Sequence, residues 1–158
     1  MDLEVIESGN GGDLVLKGND LSFIFGFQNM PYLALFGGNV KASTPVERIP
    51  SEQAFDWWGN SLLPNKPEVQ FNSLTERLLN NIAVNSAGRL EIENVVKKDL
   101  EFMDAFANVS VDVSIVSTDR VRILVTILEP ENLVAKEFQF IWDFTNQEII
   151  TDDNNSNT

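Results

Sequence analysis

The sequence predicts an α+β fold: an N-terminal β-hairpin, short helices, and an αα-hairpin packed on a three-stranded antiparallel sheet. Three observations predict it. Two short apolar runs near the start flank a glycine-rich turn, a four-residue apolar spacing begins at Ser73, and that spacing drops to two after Asn108. The 158 residues, 43% of them hydrophobic and eleven of them Phe, suffice for one core rather than two. The expected organisation is a single domain over residues 1–150 and a disordered polar tail over 151–158, "TDDNNSNT". No internal repeat is expected.

In chain order, "LEVIES" (3–8) and "LVLKG" (14–18) read as strands, and "GNGGD" between them supplies residues that accept positive φ cheaply. "GND" (18–20) makes a second turn, with Asp20 placed as a helix cap. Leu21–Phe36, "LSFIFGFQNMPYLALF", is apolar almost all round and interrupted by Pro31. Proline cannot continue a helix without losing a hydrogen bond, so two short helical pieces are expected, Pro31 starting the second and Gly37-Gly38 ending it. Residues 39–71 hold four of the six prolines and no sustained period. A connection this long inside one domain tends to be functional.

Ser73-Leu74-Thr75-Glu76 is a capping box, and Leu74, Leu78 and Ile82 then share a helical face with Leu79 and Ala83. Asn85–Gly88 breaks the run. A second helix is predicted over 87–104, with Ile92, Val96, Leu100 and Met103 inward and Lys97, Lys98 and Asp99 outward. Val109, Val111, Val113 and Ile115 alternate with polar residues, and "STDR" turns the chain. Val121 to Leu128 is apolar on both faces, which marks the best-covered strand, and Phe138, Phe140 and Trp142 form a third alternating set.

Composition narrows the function. Without Cys or His there is no disulfide framework, no Cys/His zinc site and no His-based triad. A formal charge of −13 repels phosphate backbones, so direct nucleic-acid binding is not expected. The start lacks a basic segment followed by an apolar run, and the longest apolar stretch is broken by Gln28, Asn29 and Pro31, so a soluble protein is expected without a secretory signal or membrane span. Glu91/Glu93, Glu129/Glu131 and Asp152/Asp153 are carboxylate pairs without an accompanying motif. Asp143–Glu148 lacks the glycine and the terminal glutamate of a calcium loop. No catalytic set, metal or cofactor is expected.

The candidate site is aromatic. Trp57 and Trp58, with Gly59 and Asn60 after them, sit in the proline-rich connection. Each indole ring covers on the order of 200 Å², and tryptophan is enriched at the centres of protein interfaces. A lid folded over the core and an anchor into a partner are both open readings. Phe138, Phe140 and Trp142 read either as the core face of a strand or as a stacking platform for single-stranded nucleic acid or sugar, and the acidic charge weighs against the nucleic acid. The candidate interface set is Trp57, Trp58, Gly59, Asn60, Phe138, Phe140 and Trp142.

"GGDLVLKGNDL" (11–21), "LALFGGN" (33–39) and "WWGN" (57–60), followed by two helices and a meander, resemble the Mu-like phage baseplate wedge family, relatives of the T-even wedge and sheath-initiator proteins. The likeness covers roughly residues 10–145. Gly12-Asp13-Leu14 stand at its hairpin motif and Trp57-Trp58-Gly59 at its tryptophan motif, with Asn60 where the family usually has Asp. The Glu-Pro-Arg signature of the sheath initiators is missing; the nearest triplet is Glu129-Pro130-Glu131. The resemblance implies a non-enzymatic virion part, made in the host cytoplasm and built in several copies into the tail baseplate. Its implied partners are larger wedge subunits and tail tube or sheath proteins, met in part by strand addition at 109–116 or 136–143. An aromatic-lined glycan or small-ligand module is the alternative.

Overall fold

The structure, a computed structural model, describes residues 1–7, 12–39, 41, 62, 64, 70, 72–130 and 134–150. It is mixed α and β with antiparallel sheets, as the α+β class requires. Six short strands come first: β1 Asp2–Leu3, β2 Val5–Glu7, β3 Gly12–Leu14, β4 Leu16–Lys17, β5 Asp20–Leu21 and β6 Phe23–Ile24. Helices α1 Met30–Phe36, α2 Leu74–Leu79 and α3 Ser86–Leu100 follow, then a 3-10 segment Glu101–Ala105. Strands β7 Asn108–Ser117, β8 Arg120–Leu128, β9 Lys136–Asp143 and β10 Glu148–Ile150 complete the order.

The last four strands form one antiparallel sheet in the order β10-β9-β8-β7. The sequence predicts three strands; the fourth arises from a side-chain-built turn. Asp143 Oδ1 accepts from the N–H groups of Thr145 (2.8 Å) and Asn146 (3.1 Å), and Gln147 takes φ 56°. The chain then returns, pairing Ile149 with Trp142 and burying it. These N–H groups, Asn146 first, together with the Arg120 guanidinium, hold the Asp143 carboxyl below its ordinary value.

Period two decides which face of the sheet is covered. Val121, Ile123, Val125 and Ile127 of β8 are at most 2% exposed, whereas Arg122, Leu124 and Thr126 on the other face are half-buried. The α3 stripe of Ile92, Val96 and Leu100, with Leu35 of α1 and Leu79 of α2, belongs to the same core. Each fully enclosed aliphatic chain contributes roughly 1.5–3 kcal/mol, so this layer carries most of the stability. Helix α3 stops at Leu100 rather than 104, and the 3-10 segment still brings Met103 into the core.

The caps are local chemistry. Ser73 Oγ accepts from Glu76 N (3.2 Å) and also donates to the Leu35 carbonyl, tying α2 to α1. Asn85 Oδ1 accepts from Gly88 N (2.9 Å) and starts α3. Pro31 lies in the first turn of α1, where its missing N–H costs nothing, and Gly38 follows the helix at φ 89°. Asp99, expected outward, instead turns to α2. Its Oδ2 accepts from Leu74 N (3.0 Å), Thr75 N (2.8 Å) and Thr75 Oγ1 (2.7 Å).

The N-terminal region departs most from expectation. Residues 21–24 are strands rather than a helical piece, and Asp20 lies in β5 rather than capping a helix. Three arms, residues 2–7, 12–17 and 20–24, each bend once and pair with both of the others. β1 pairs with β6, β2 with β3, and β4 with β5. At the bends the backbone bonds run in a ring: Glu4 N donates to Ser22 O (2.9 Å), Ser22 N to Val15 O (2.8 Å) and Val15 N to Glu4 O (3.1 Å). Long-range pairing thus overrides the helical reading of Leu21–Ile24. The unit also overturns the expectation of no repeat, because Asp2-Leu3, Asp13-Leu14 and Asp20-Leu21 occupy equivalent places in the three arms.

Candidate functional site

The pinwheel of three arms fixes where its side chains go. Glu4, Val15 and Ser22 aim their peptide groups at the centre, so those of Leu3, Leu14 and Leu21 point to the outer edges. In every arm the preceding aspartate takes that outward N–H: Asp2 from Leu3 (2.8 Å), Asp13 from Leu14 (2.7 Å) and Asp20 from Leu21 (2.8 Å). Each open edge is therefore closed by a carboxylate, a device that deters further strand pairing. Asn29, buried just before α1, accepts from Val5 N (3.3 Å) and donates to Asp2 Oδ2 (3.1 Å) and to the Leu3 carbonyl.

Alternation then sorts the two faces. Residues directly opposite in register share a face, and the three central pairs are Leu3–Phe23, Val5–Leu14 and Leu16–Leu21. Met1 and Phe25 extend the same face by the period of two. The opposite face holds Glu4, which accepts from Ser22 Oγ and from Lys17 Nζ (2.9 Å), and the buried Ser22 and Ile24. Those bonds, Ser22 first, lower the Glu4 carboxyl from its ordinary value. Among the described residues the apolar face is open. Phe25 is 72% exposed, Leu16 69% and Phe23 50%, and Leu14 and Leu21 are exposed as well.

Of the sequence-predicted site, Trp57, Trp58, Gly59 and Asn60 lie outside the described residues. Phe138, Phe140 and Trp142 come together on the helix-covered face of β9. Trp142 is 3% exposed and stacks on Phe36 at 6.2 Å between centroids. Phe140 lies 5.2 Å from Phe36 and 6.5 Å from Tyr32, and Phe138 packs on the same core half-buried. The ring faces of Phe140 and Trp142 that a partner or a sugar would grip are thus met by α1. The core reading of this set is the one that the packing supports, and Trp142 in particular presents no surface to a partner. Its indole N–H finds no acceptor among the described residues.

Of the carboxylate candidates that are described, Glu93 and Glu129 are held in ion pairs. Glu93 is held between Arg89 (2.9 Å) and Lys97 (2.6 Å), and these contacts, Lys97 first, lower its carboxyl. Glu129 is bound by Lys136 (3.1 Å), and Glu91 is exposed. Glu131, Asp152 and Asp153 lie outside the described residues. Among the described residues no group of three or more acidic side chains could hold a metal, and no helix is long and apolar enough to cross a membrane.

Two strand edges are open among the described residues. β7 is the outermost strand on its side of the sheet, with Ser110 and Asp112 exposed and Arg89 Nη1 donating to the Val113 carbonyl (3.1 Å). On the other side β10 covers only Ile141–Asp143 of β9. Sequence reasoning missed the apolar face because it treated the start as a lone hairpin. The available signal was the Asp-Leu dipeptide, three times within 21 residues, each followed two positions after the leucine by Val, Leu or Phe. Comparison with known proteins returns no match among protein-family models, curated proteins or solved structures.

Proposed function

We propose that this chain is a non-enzymatic structural subunit of a phage tail baseplate, or of a related contractile injection machine, and acts through protein–protein contacts. One observation carries the reading: the open apolar face of the N-terminal unit, which exposes Leu14, Leu16, Leu21, Phe23 and Phe25 side by side. Soluble monomers rarely leave more than a few hundred Å² of contiguous apolar surface uncovered unless something binds there. The outer edge of β7, ten residues long, adds a second means of attachment by strand addition.

The likeness of Gly12-Asp13-Leu14 and Trp57-Trp58-Gly59 to the wedge family's motifs points this general reading toward a baseplate. In that setting the αα-hairpin on its antiparallel sheet is the body of the wedge subunit. Its partners are larger wedge subunits and tail tube or sheath proteins, met in several symmetric copies. Mass spectrometry of purified tail particles tests the placement, and absence of the chain from them rules it out. Trp57→Ala and Trp58→Ala are each expected to weaken a reconstituted wedge complex by at least about 2 kcal/mol, roughly 30-fold. Normal assembly by both folded variants refutes the anchor role.

A further inference from the structure

We infer that Arg89 is a guard on the open edge of the four-stranded sheet, holding one β7 carbonyl so that two copies of this chain do not join there edge to edge. The inference rests on the reading of β7 as an attachment edge and adds what restrains it. It does not depend on the machine being a baseplate.

The ladder shows which backbone groups of β7 face outward. β7 is the outermost strand, and its register on β8 runs unbroken from Asn108↔Leu128 to Ile115↔Val121. In an antiparallel pair, residues alternate between bonding the neighbouring strand and turning both polar backbone groups away from it. The Val113 carbonyl accepts from Arg89 Nη1 of α3 (3.1 Å), so Val113 belongs to the outward set. Period two adds Val109, Val111 and Ile115. Among the described residues, the Val113 carbonyl is the one outward group of β7 that a side chain takes. Such a row is a template for another strand, and a second copy offers the same row by two-fold symmetry.

Place, anchoring and charge suit Arg89 to guarding this row. Beyond Ile115 the register shifts before Ser117, and an irregularity of that kind ends regular pairing. Val113 lies inside the regular stretch, so Arg89 leaves only Val109 and Val111 consecutively open. Glu93, one turn along α3, accepts from the same Nη1 (2.9 Å) and is itself bonded by Lys97 Nζ (2.6 Å). The guanidinium is thus steered to the edge by the helix that packs against β7. An incoming strand must first break this charge-assisted bond, which is stronger than the neutral one that would replace it. A two-fold pairing centred near Val113 would also bring both Arg89 groups into one seam, where like charges oppose association.

The test compares the full chain with Arg89→Ala and Arg89→Met, the second keeping an unbranched apolar stem without the donor. Sedimentation equilibrium at near-physiological salt reads self-association, and amide hydrogen exchange followed by NMR reads its place. In the unmodified protein the Val109 and Val111 amides should exchange fast at every protein concentration. Both variants should melt cooperatively, because α3 keeps its Asn85 cap and its stripe of Ile92, Val96 and Leu100. Both should self-associate at least about tenfold more tightly than the unmodified protein. The Val109 and Val111 amides should then gain protection as concentration rises. Each variant is more acidic by the charge removed, so net repulsion works against this outcome and cannot produce it. Variants that stay monomeric with unchanged exchange overturn the inference. So does association whose protection falls outside β7, or an unmodified protein whose β7 amides are already protected as concentration rises. Should Arg89→Ala fail to fold, Arg89→Met decides by the same readings. Detection of the chain in tail particles is a separate measurement, so either idea can fail while the other stands.

Discussion

Asp99 sits where α2 meets α3, and replacing it with asparagine separates two opposing effects. Three donors from the start of α2 converge on one carboxylate oxygen at 2.7, 2.8 and 3.0 Å, which favours the charged form. Burial disfavours any charge there. Burial prevails, and it pushes the carboxyl from 3.8 up to about 6. A group whose folded value is raised contributes stability that is fully present below its unfolded value and is lost as pH climbs through the folded one. The window for Asp99 therefore runs from pH 3.8 to about 6. At 1.36 kcal/mol per unit the full effect is about 3 kcal/mol, most of it, about 2–3 kcal/mol, falling between roughly pH 4 and pH 8. In the Asp99→Asn protein the amide oxygen can still accept from the same donors, but nothing titrates. Urea unfolding of both proteins across that range reads the difference directly, because the other carboxylates are common to both. The unmodified protein is expected to lose about 2–3 kcal/mol relative to the variant as pH rises. A difference that stays constant, or that moves the opposite way, refutes the claim that burial outweighs the three donors.

Two further substitutions probe the core and the helix connection. Trp142→Phe removes an indole N–H that has no acceptor among the described residues, so it should cost under about 1.5 kcal/mol, whereas Trp142→Ala should cost about 3–5 kcal/mol by losing the stack on Phe36. Equal urea midpoints for the two would show that the N–H is satisfied after all. Gly88→Ala would place a Cβ 2.2 Å from the Ala83 carbonyl oxygen, and a loss of about 1–3 kcal/mol is expected, although alanine is the better helix former. An unchanged or higher thermal midpoint would show that the α2–α3 connection yields.

The helical and sheet half of the fold was legible because its periods are long and clean. Ile92, Val96 and Leu100 read as one stripe, and Val121, Ile123, Val125 and Ile127 as one face, each over several repeats. Ser73 announced the start of α2 as one half of a capping box: its hydroxyl accepts from Glu76 N as expected, whereas its own N–H goes to the Gly38 carbonyl instead of the Glu76 carboxylate. What stayed hidden depended on partners far away in sequence. β10 is three residues long and exists because Asp143 folds the turn before it. Asp99 looked like a surface acid because nothing near it in sequence shows that the start of α2 would lie 24 residues back and need a cap. The N-terminal arms, two or three paired residues at a time, are too short for period two to register, and only their mutual register makes Leu3, Leu16 and Phe23 neighbours. Phe138, Phe140 and Trp142 showed their alternation plainly, yet alternation cannot say whether a helix such as α1 lies on the face they share.

The ring through Glu4, Val15 and Ser22 has a consequence for how this protein can change. Shape there comes from main-chain atoms, which every residue type except proline supplies alike. The outermost side chains, Leu16 and Phe25 foremost, are therefore nearly free of any duty to the scaffold that presents them. Substitutions at those tips can recut the outline shown to a neighbour while the three-cornered frame persists. Shifting the register of any one arm by a single residue would instead undo all three corners together.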